Sequence, residues 1–169
     1  IQLDVDRLDY LNRDSFFTGV HEGVIGCDRI IKMMNVFNDE LVVDAKGIYS
    51  IEKFIIARRI MYWQVYLHKT VIAAEQMLVK ILLRSKELTE AGIKLNTTSA
   101  LSVFLEQNIA KNTFATKNEY LNYFSKLDDF DIFASIKLWA NHKDKVLSFL
   151  CNGLVNRDLF KIELQNNPF

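Results

Sequence analysis

Asp4-Val-Asp-Arg-Leu-Asp-Tyr-Leu-Asn-Arg-Asp14 opens the chain with a patterned helix, and its polar residues do not scatter. At 100° per residue, Asp6, Arg7, Tyr10 and Asp14 project within an arc of roughly 100°. Two carboxylates, a guanidinium and a phenol therefore share one face over two turns. Asp9 and Arg13, at i and i+4 beside that face, have the spacing of a supporting ion pair. A solvated polar stripe on a surface helix would show the same spacing. Pattern alone leaves both readings open.

Outward from this stretch, the sequence permits helix almost everywhere. The only proline is Pro168 and there are six glycines in 169 residues. Leu3, Leu8 and Leu11 give residues 3–13 an apolar side. Residues 15–26, with Gly19, Gly23 and Gly26, read as a loop, and 27–36 as a short helix. Leu41-Val-Val43 is a β-branched burst between Asp39-Glu40 and Lys46-Gly47, which predicts a short strand. Ser50 is placed to cap the next helix, although Lys53 stands where a capping box needs Glu or Gln. From Ile51 to about Arg84 no Gly or Pro interrupts the helical spacing. Unbroken, that helix would be about 50 Å long, so it is either the spine of the fold or kinked. Gly92 and Asn96-Thr97-Thr98 mark a break. Helices follow at 99–107, 117–124, 129–141 and 143–155. Alternation over 159–164 predicts a final strand able to pair with residues 40–43. The fold class expected is mainly α with one small antiparallel β pair, and no linker divides residues 1–169 into two domains.

Composition excludes some functions. Twenty-one basic residues balance twenty-one acidic ones, so no overall field favours nucleic acid or an anionic membrane. No apolar run approaches the length of a membrane span. Cys27 and Cys151 form no CxxC pair and read as reduced thiols of a cytoplasmic protein. The opening residue is Ile1, met without a cap or slack, which suggests that further sequence precedes it.

A second cluster lies on the long helix. Arg58, Tyr62 and Tyr66 follow i, i+4, i+8 spacing, and Lys69 returns to the same face. Cations beside phenols suit a phosphorylated ligand with a sugar or base to pack against. Core aromatics next to a solvated basic patch are the plainer alternative.

Three blocks carry a resemblance. The segment Asp4 to Asp14, followed by Thr18-Gly-Val20, resembles the segment that closes the metal site of HD-domain dNTP triphosphohydrolases. Ala57-Arg-Arg-Ile-Met-Tyr-Trp-Gln-Val-Tyr-Leu-His-Lys69 is similar to that family's nucleotide-contacting helix. Leu127-Asp-Asp-Phe-Asp131 through Trp139, Asp144 to Leu147 and Asn156-Arg-Asp-Leu-Phe-Lys161 look like the helical region downstream in its bacterial members. The resemblance implies the C-terminal portion of an HD-superfamily fold. It also implies a parent reaction in which a dNTP is hydrolysed to deoxynucleoside and triphosphate. By position it makes Asp6 a metal ligand, Arg7 and Arg58 phosphate-binding residues, and Tyr10, Asp14 and Tyr66 the sugar pocket, with Tyr62 and Lys69 as further pocket residues. Tyr62 stands where the animal enzyme has histidine and Leu67 where it has glutamine, so base recognition departs from that enzyme.

The family's His and His-Asp ligands have no counterpart here. His21, His68 and His142 are followed by Glu, Lys and Lys. One carboxylate cannot replace a multidentate metal site. The expectation is a chain inactive alone, binding no metal tightly, whose divalent cation (Mg, Mn or Fe) and His-Asp ligands belong to the intact parent. The expected partners are the missing N-terminal part, a dNTP and further copies in a homo-oligomer. Two rivals remain: a non-catalytic regulatory or assembly module, and an HD hydrolase of another phosphate ester.

Overall fold

In the computed structural model, residues 3–110, 112 and 118–163 are described. The chain packs as two compact units, Ile1–Ile72 and Ala73–Phe169. Helices dominate and one two-stranded antiparallel sheet accompanies them.

The first unit begins with α1 (Val5–Thr18). The Asp4 side chain accepts a hydrogen bond from the Arg7 amide at 2.8 Å and starts the helix. Gly19, at φ 73°, closes it, donating its N–H to the Ser15 carbonyl. The helix thus runs four residues into the stretch read as a loop, because Ser15 is buried and its hydroxyl donates to the Val20 carbonyl at 2.6 Å. A single turn at His21–Gly23 follows. A Cβ on Gly23 would stand 2.8 Å from the Met61 sulfur and 2.9 Å from the Ser15 Cβ, so the backbone approach there needs glycine.

Helix α2 (Cys27–Met33) is shorter than the expected 27–36. Residues Met34–Phe37 instead form β1, paired antiparallel with β2 (Glu40–Val43) in the register Met34↔Val43 to Phe37↔Glu40. Asn38 and Asp39 both have positive φ, 51° and 60°, the backbone of a tight two-residue hairpin turn that Asn and Asp tolerate. Hairpin geometry overrode the helical spacing of Met33 and Met34. The final strand expected at 159–164 is likewise corrected. Residues 158–163 carry no regular structure, and β1 takes the place beside β2 assigned to them; Leu164, like Lys117 and Pro168, lies outside the described residues.

Helix α3 (Ile48–Met61) starts two residues before Ser50, with Gly47 at its cap and no side-chain cap bond. It contributes Phe54, Ala57 and Met61 to a core shared with Leu8, Leu11, Ile25 and Ile30. The long helix read from the sequence is interrupted here. Tyr62–Tyr66 form a π turn, in which the Leu67 amide bonds the Tyr62 carbonyl five residues back at 2.7 Å. α4 (Lys69–Glu90) resumes after His68. No glycine or proline announces this break, so its cause lies in packing.

The second unit packs α4 with α5 (Ser99–Glu106), α6 (Asn118–Phe124), α7 (Asp129–Trp139) and α8 (Lys145–Val155). Ile81, Leu88, Leu101, Leu105, Ile136, Trp139 and Leu147 form its core, and the buried Trp139 indole donates to the Asn96 carbonyl at 2.8 Å. The helix ends are capped by charge. Asp128 and Asp131 form a capping box on α7. Asp144 caps α8 and takes both Nε and Nη2 of Arg84, at 3.2 and 2.7 Å. The Lys86 ammonium donates to the carbonyls of Phe104, Leu105 and Gln107 at the C-terminal end of α5. Both cysteines are free thiols. Among the described residues no helix is long and apolar enough to cross a membrane.

Candidate active site

The polar face of α1 and the π turn after α3 meet within the first unit. Because Leu8 and Leu11 anchor α1 to Phe54, Ala57 and Met61, the adjoining edge of α1 carries Tyr10 and Asp14 toward Tyr66. The Tyr66 hydroxyl donates to Asp14 Oδ2 at 2.5 Å. Tyr10 and Tyr62 each meet the Tyr66 ring edge-on, with centroids 6.0 and 5.2 Å away. The result is a cluster of three phenols whose central member, Tyr66, holds one carboxylate.

Arg58 completes it. Its guanidinium carbon lies over the Tyr62 ring, 5.1 Å from the centroid, a cation–π contact. Its Nε is buried without a hydrogen-bond partner, and among the described residues it forms no ion pair. The Tyr10 hydroxyl beside the guanidinium, and less strongly Tyr62, raise its pKa further against the opposing effect of burial. A cation held on an aromatic ring and, among the described residues, without an ion pair is chemically poised for an anion. Burial, then the hydrogen bond to Asp14 and that carboxylate's charge, push the Tyr66 phenol well above its ordinary range, so it remains a donor.

The remaining residues singled out in the sequence sit differently. Asp6 is exposed in the first turn of α1. Arg7 pairs with Asp4 at 3.0 Å, a contact that a phosphate would have to compete with. Arg13 and Asp9 form the expected ion pair. Lys69 is exposed at the start of α4, past the π turn. Spacing grouped Tyr10 with Asp14 on one helix and Arg58 with Tyr62 and Tyr66 on another, and the fold brings the two groups together. Spacing did not show that Tyr62 would be the platform for Arg58, although their i, i+4 separation was the available signal.

Among the described residues there is no group of three or more His, Cys, Asp or Glu side chains able to hold a divalent cation. Asp6 alone does not make a metal site, and any further ligands would have to come from outside the described residues.

Residues 25–108 match the family model of the HD associated region, which takes in Arg58, Tyr62, Tyr66 and Lys69. A phosphohydrolase from Bacteroides thetaiotaomicron of known structure superposes with a TM-score of 0.96 and 55% identity, over 99% of this chain and 42% of that one. The uncharacterized protein YwfO of Bacillus subtilis is 35% identical over 99% of this chain and 36% of its own length. A Dictyostelium discoideum protein named as a deoxynucleoside triphosphate triphosphohydrolase homologue is 32% identical over 76 residues, 45% of this chain and 15% of its own length. The chain therefore spans about two fifths or less of the relatives it matches.

Proposed function

We propose, from this relation to HD-type phosphohydrolases, that the chain supplies the sugar and phosphate side of a nucleotide pocket in a metal-dependent phosphohydrolase acting on dNTPs. The observation that carries the reading is the convergence of Arg58, without an acidic partner, on the Tyr10–Asp14–Tyr66 cluster. A guanidinium binds the charge of a phosphate chain. A carboxylate with a second oxygen to offer accepts from a sugar hydroxyl, while Tyr66 fixes its orientation. Phenol rings pack against the sugar and restrict room at its 2′ edge.

In this reading Asp6 would be one ligand of a divalent cation whose other ligands would come from outside this chain. That cation supplies Lewis-acid activation when bound. Arg7 and Arg58 bind the phosphates and offset charge that grows on them as the α-phosphorus is attacked. The partial likeness to the Dictyostelium protein favours a deoxynucleoside triphosphate over other phosphate esters.

The test is release of inorganic triphosphate from dNTPs by the full-length protein with Mn²⁺ or Mg²⁺, compared with Arg58→Ala. Turnover that falls sharply in the variant while bound metal is retained supports the reading. Turnover of simple phosphate esters but no dNTP, or an Arg58→Ala protein as active as wild type, overturns it.

A further inference from the structure

Arg58, Tyr62 and Tyr66 form a stack in which each group rests on the next. The Arg58 guanidinium carbon lies over the Tyr62 ring, and Tyr62 is braced edge-on by Tyr66, 5.2 Å between centroids. Tyr66 is in turn tied to Asp14 through its hydroxyl. The Arg58 side chain is half-buried, and Nε is a nitrogen withdrawn from solvent without a hydrogen-bond partner. A guanidinium free to turn would bring that donor to water, because a buried N–H left unpaired is unfavourable. Something holds it in place. Among the described residues no carboxylate does so, since the ion pairs there involve Arg7, Arg13, Arg84 and Lys86.

The kind of support matters for what Arg58 can bind. A carboxylate would hold the guanidinium as firmly, but it would also cancel the charge and occupy the donors. The face of a ring attracts the cation through its quadrupole and takes no N–H donor. With Nε turned inward, a ligand arriving from solvent meets the group at its Nη end. We infer that Tyr62 is a positioning residue, whose ring face fixes the Arg58 guanidinium with its Nη end and its full charge presented to a phosphate. The inference rests on the phosphate-binding role proposed for Arg58. It adds that Tyr62 acts through Arg58 and not through its own hydroxyl.

The probe is inorganic triphosphate, titrated calorimetrically into the full-length protein with Mg²⁺ present. Tyr62→Leu should weaken binding about three- to tenfold, the size of a partly desolvated cation–π contact. Tyr62→Phe keeps the face without the hydroxyl and should hold the affinity within about twofold of wild type. In an Arg58→Ala background Tyr62→Leu should cost nothing further, because the group it positions is gone. A residue needed only for packing would weaken binding in both backgrounds. Circular dichroism confirms that each variant is folded, and Tyr62→Gln replaces Tyr62→Leu if the latter does not fold. Arg58→Ala without effect on triphosphate binding would overturn the functional reading and the inference with it. Where Arg58→Ala weakens binding, three results overturn the inference alone: a harmless Tyr62→Leu, a Tyr62→Phe as weak as Tyr62→Leu, or losses that add in the double variant.

Discussion

Tyr66 and Asp14 are 52 positions apart in sequence, yet phenol and carboxylate share a 2.5 Å hydrogen bond. It ties the polar face of α1 to the π turn and orders the pocket before any ligand arrives. Tyr66→Phe removes the bond and keeps the ring. A hydrogen bond to a charged group contributes about 1.5–3 kcal/mol, and the site is partly open to solvent, so a loss of roughly 1–2 kcal/mol is expected. Urea denaturation of the variant against wild type measures it.

The same residue bears on sugar choice. If the Tyr66 ring crowds the 2′ edge, Tyr66→Ala should admit ribonucleotides while deoxyribonucleotide turnover partly survives. A steric block of about 1–3 kcal/mol corresponds to a roughly 10–200-fold preference. The ratio of kcat/KM for dGTP over GTP in the full-length protein should fall accordingly. An unchanged ratio would make Tyr66 a packing residue only.

Metal and phosphate functions should separate. In the full-length protein Asp6→Ala is expected to lower both bound metal and activity, because a ligand is lost. Arg58→Ala should keep its metal and lose nucleotide affinity. The 169-residue chain by itself should release no triphosphate with Mn²⁺, Mg²⁺, Co²⁺ or Fe²⁺, having no cluster of ligands among its described residues. Metal analysis beside the activity assay decides both points.

The Asp144–Arg84 pair predicts an acid response in the second unit. Arg84 and then the Leu147 amide lower the Asp144 pKa from 3.8 to about 2. A lowered folded-state value means that the unfolded chain binds the proton more readily. The contribution is therefore present above the unfolded value and is lost as pH falls through the folded one. Denaturation midpoints should drop between about pH 4 and 2, and Asp144→Asn should flatten that drop. Asp144→Ala should also cost about 1 kcal/mol through the lost cap alone.

Gly23→Ala tests the packing under α1. The added methyl would meet the Ser15 Cβ at 2.9 Å as well as the Met61 sulfur at 2.8 Å. Met61 can swing aside, but Ser15 is fixed in its helix, so overpacking of roughly 1–3 kcal/mol is expected. A lowered Tm at neutral pH checks it.

Local signals explain what could be read from the chain. Helical spacing and the scarcity of glycine and proline made the helices legible, and Asp9–Arg13 and the shared face of Tyr10 and Asp14 follow from the same periodicity. Where the reading failed, a distant contact decided. Met34–Phe37 became a strand because residues 40–43 were near enough to pair through the Asn38–Asp39 turn. The alternation of 159–163 gained no such partner. The π turn has no composition of its own, since it answers to where Tyr62 and Tyr66 must pack. The resemblance supplied the roles of Asp6 and Arg7, which geometry alone leaves as an exposed carboxylate and an Asp4-bound guanidinium.

The wide turn at Tyr62–Tyr66 makes this region sensitive to length more than to identity. Trp63 is 67% exposed, and many side chains would fit in its place. Removing any one residue of the five, however, would tighten the turn to an ordinary one. The Tyr66 phenol would then swing by about 100° round the axis, out of reach of Asp14. Substitutions at outward positions such as Trp63 leave the pocket intact as the protein evolves, while a single insertion or deletion between Arg58 and Tyr66 would take it apart.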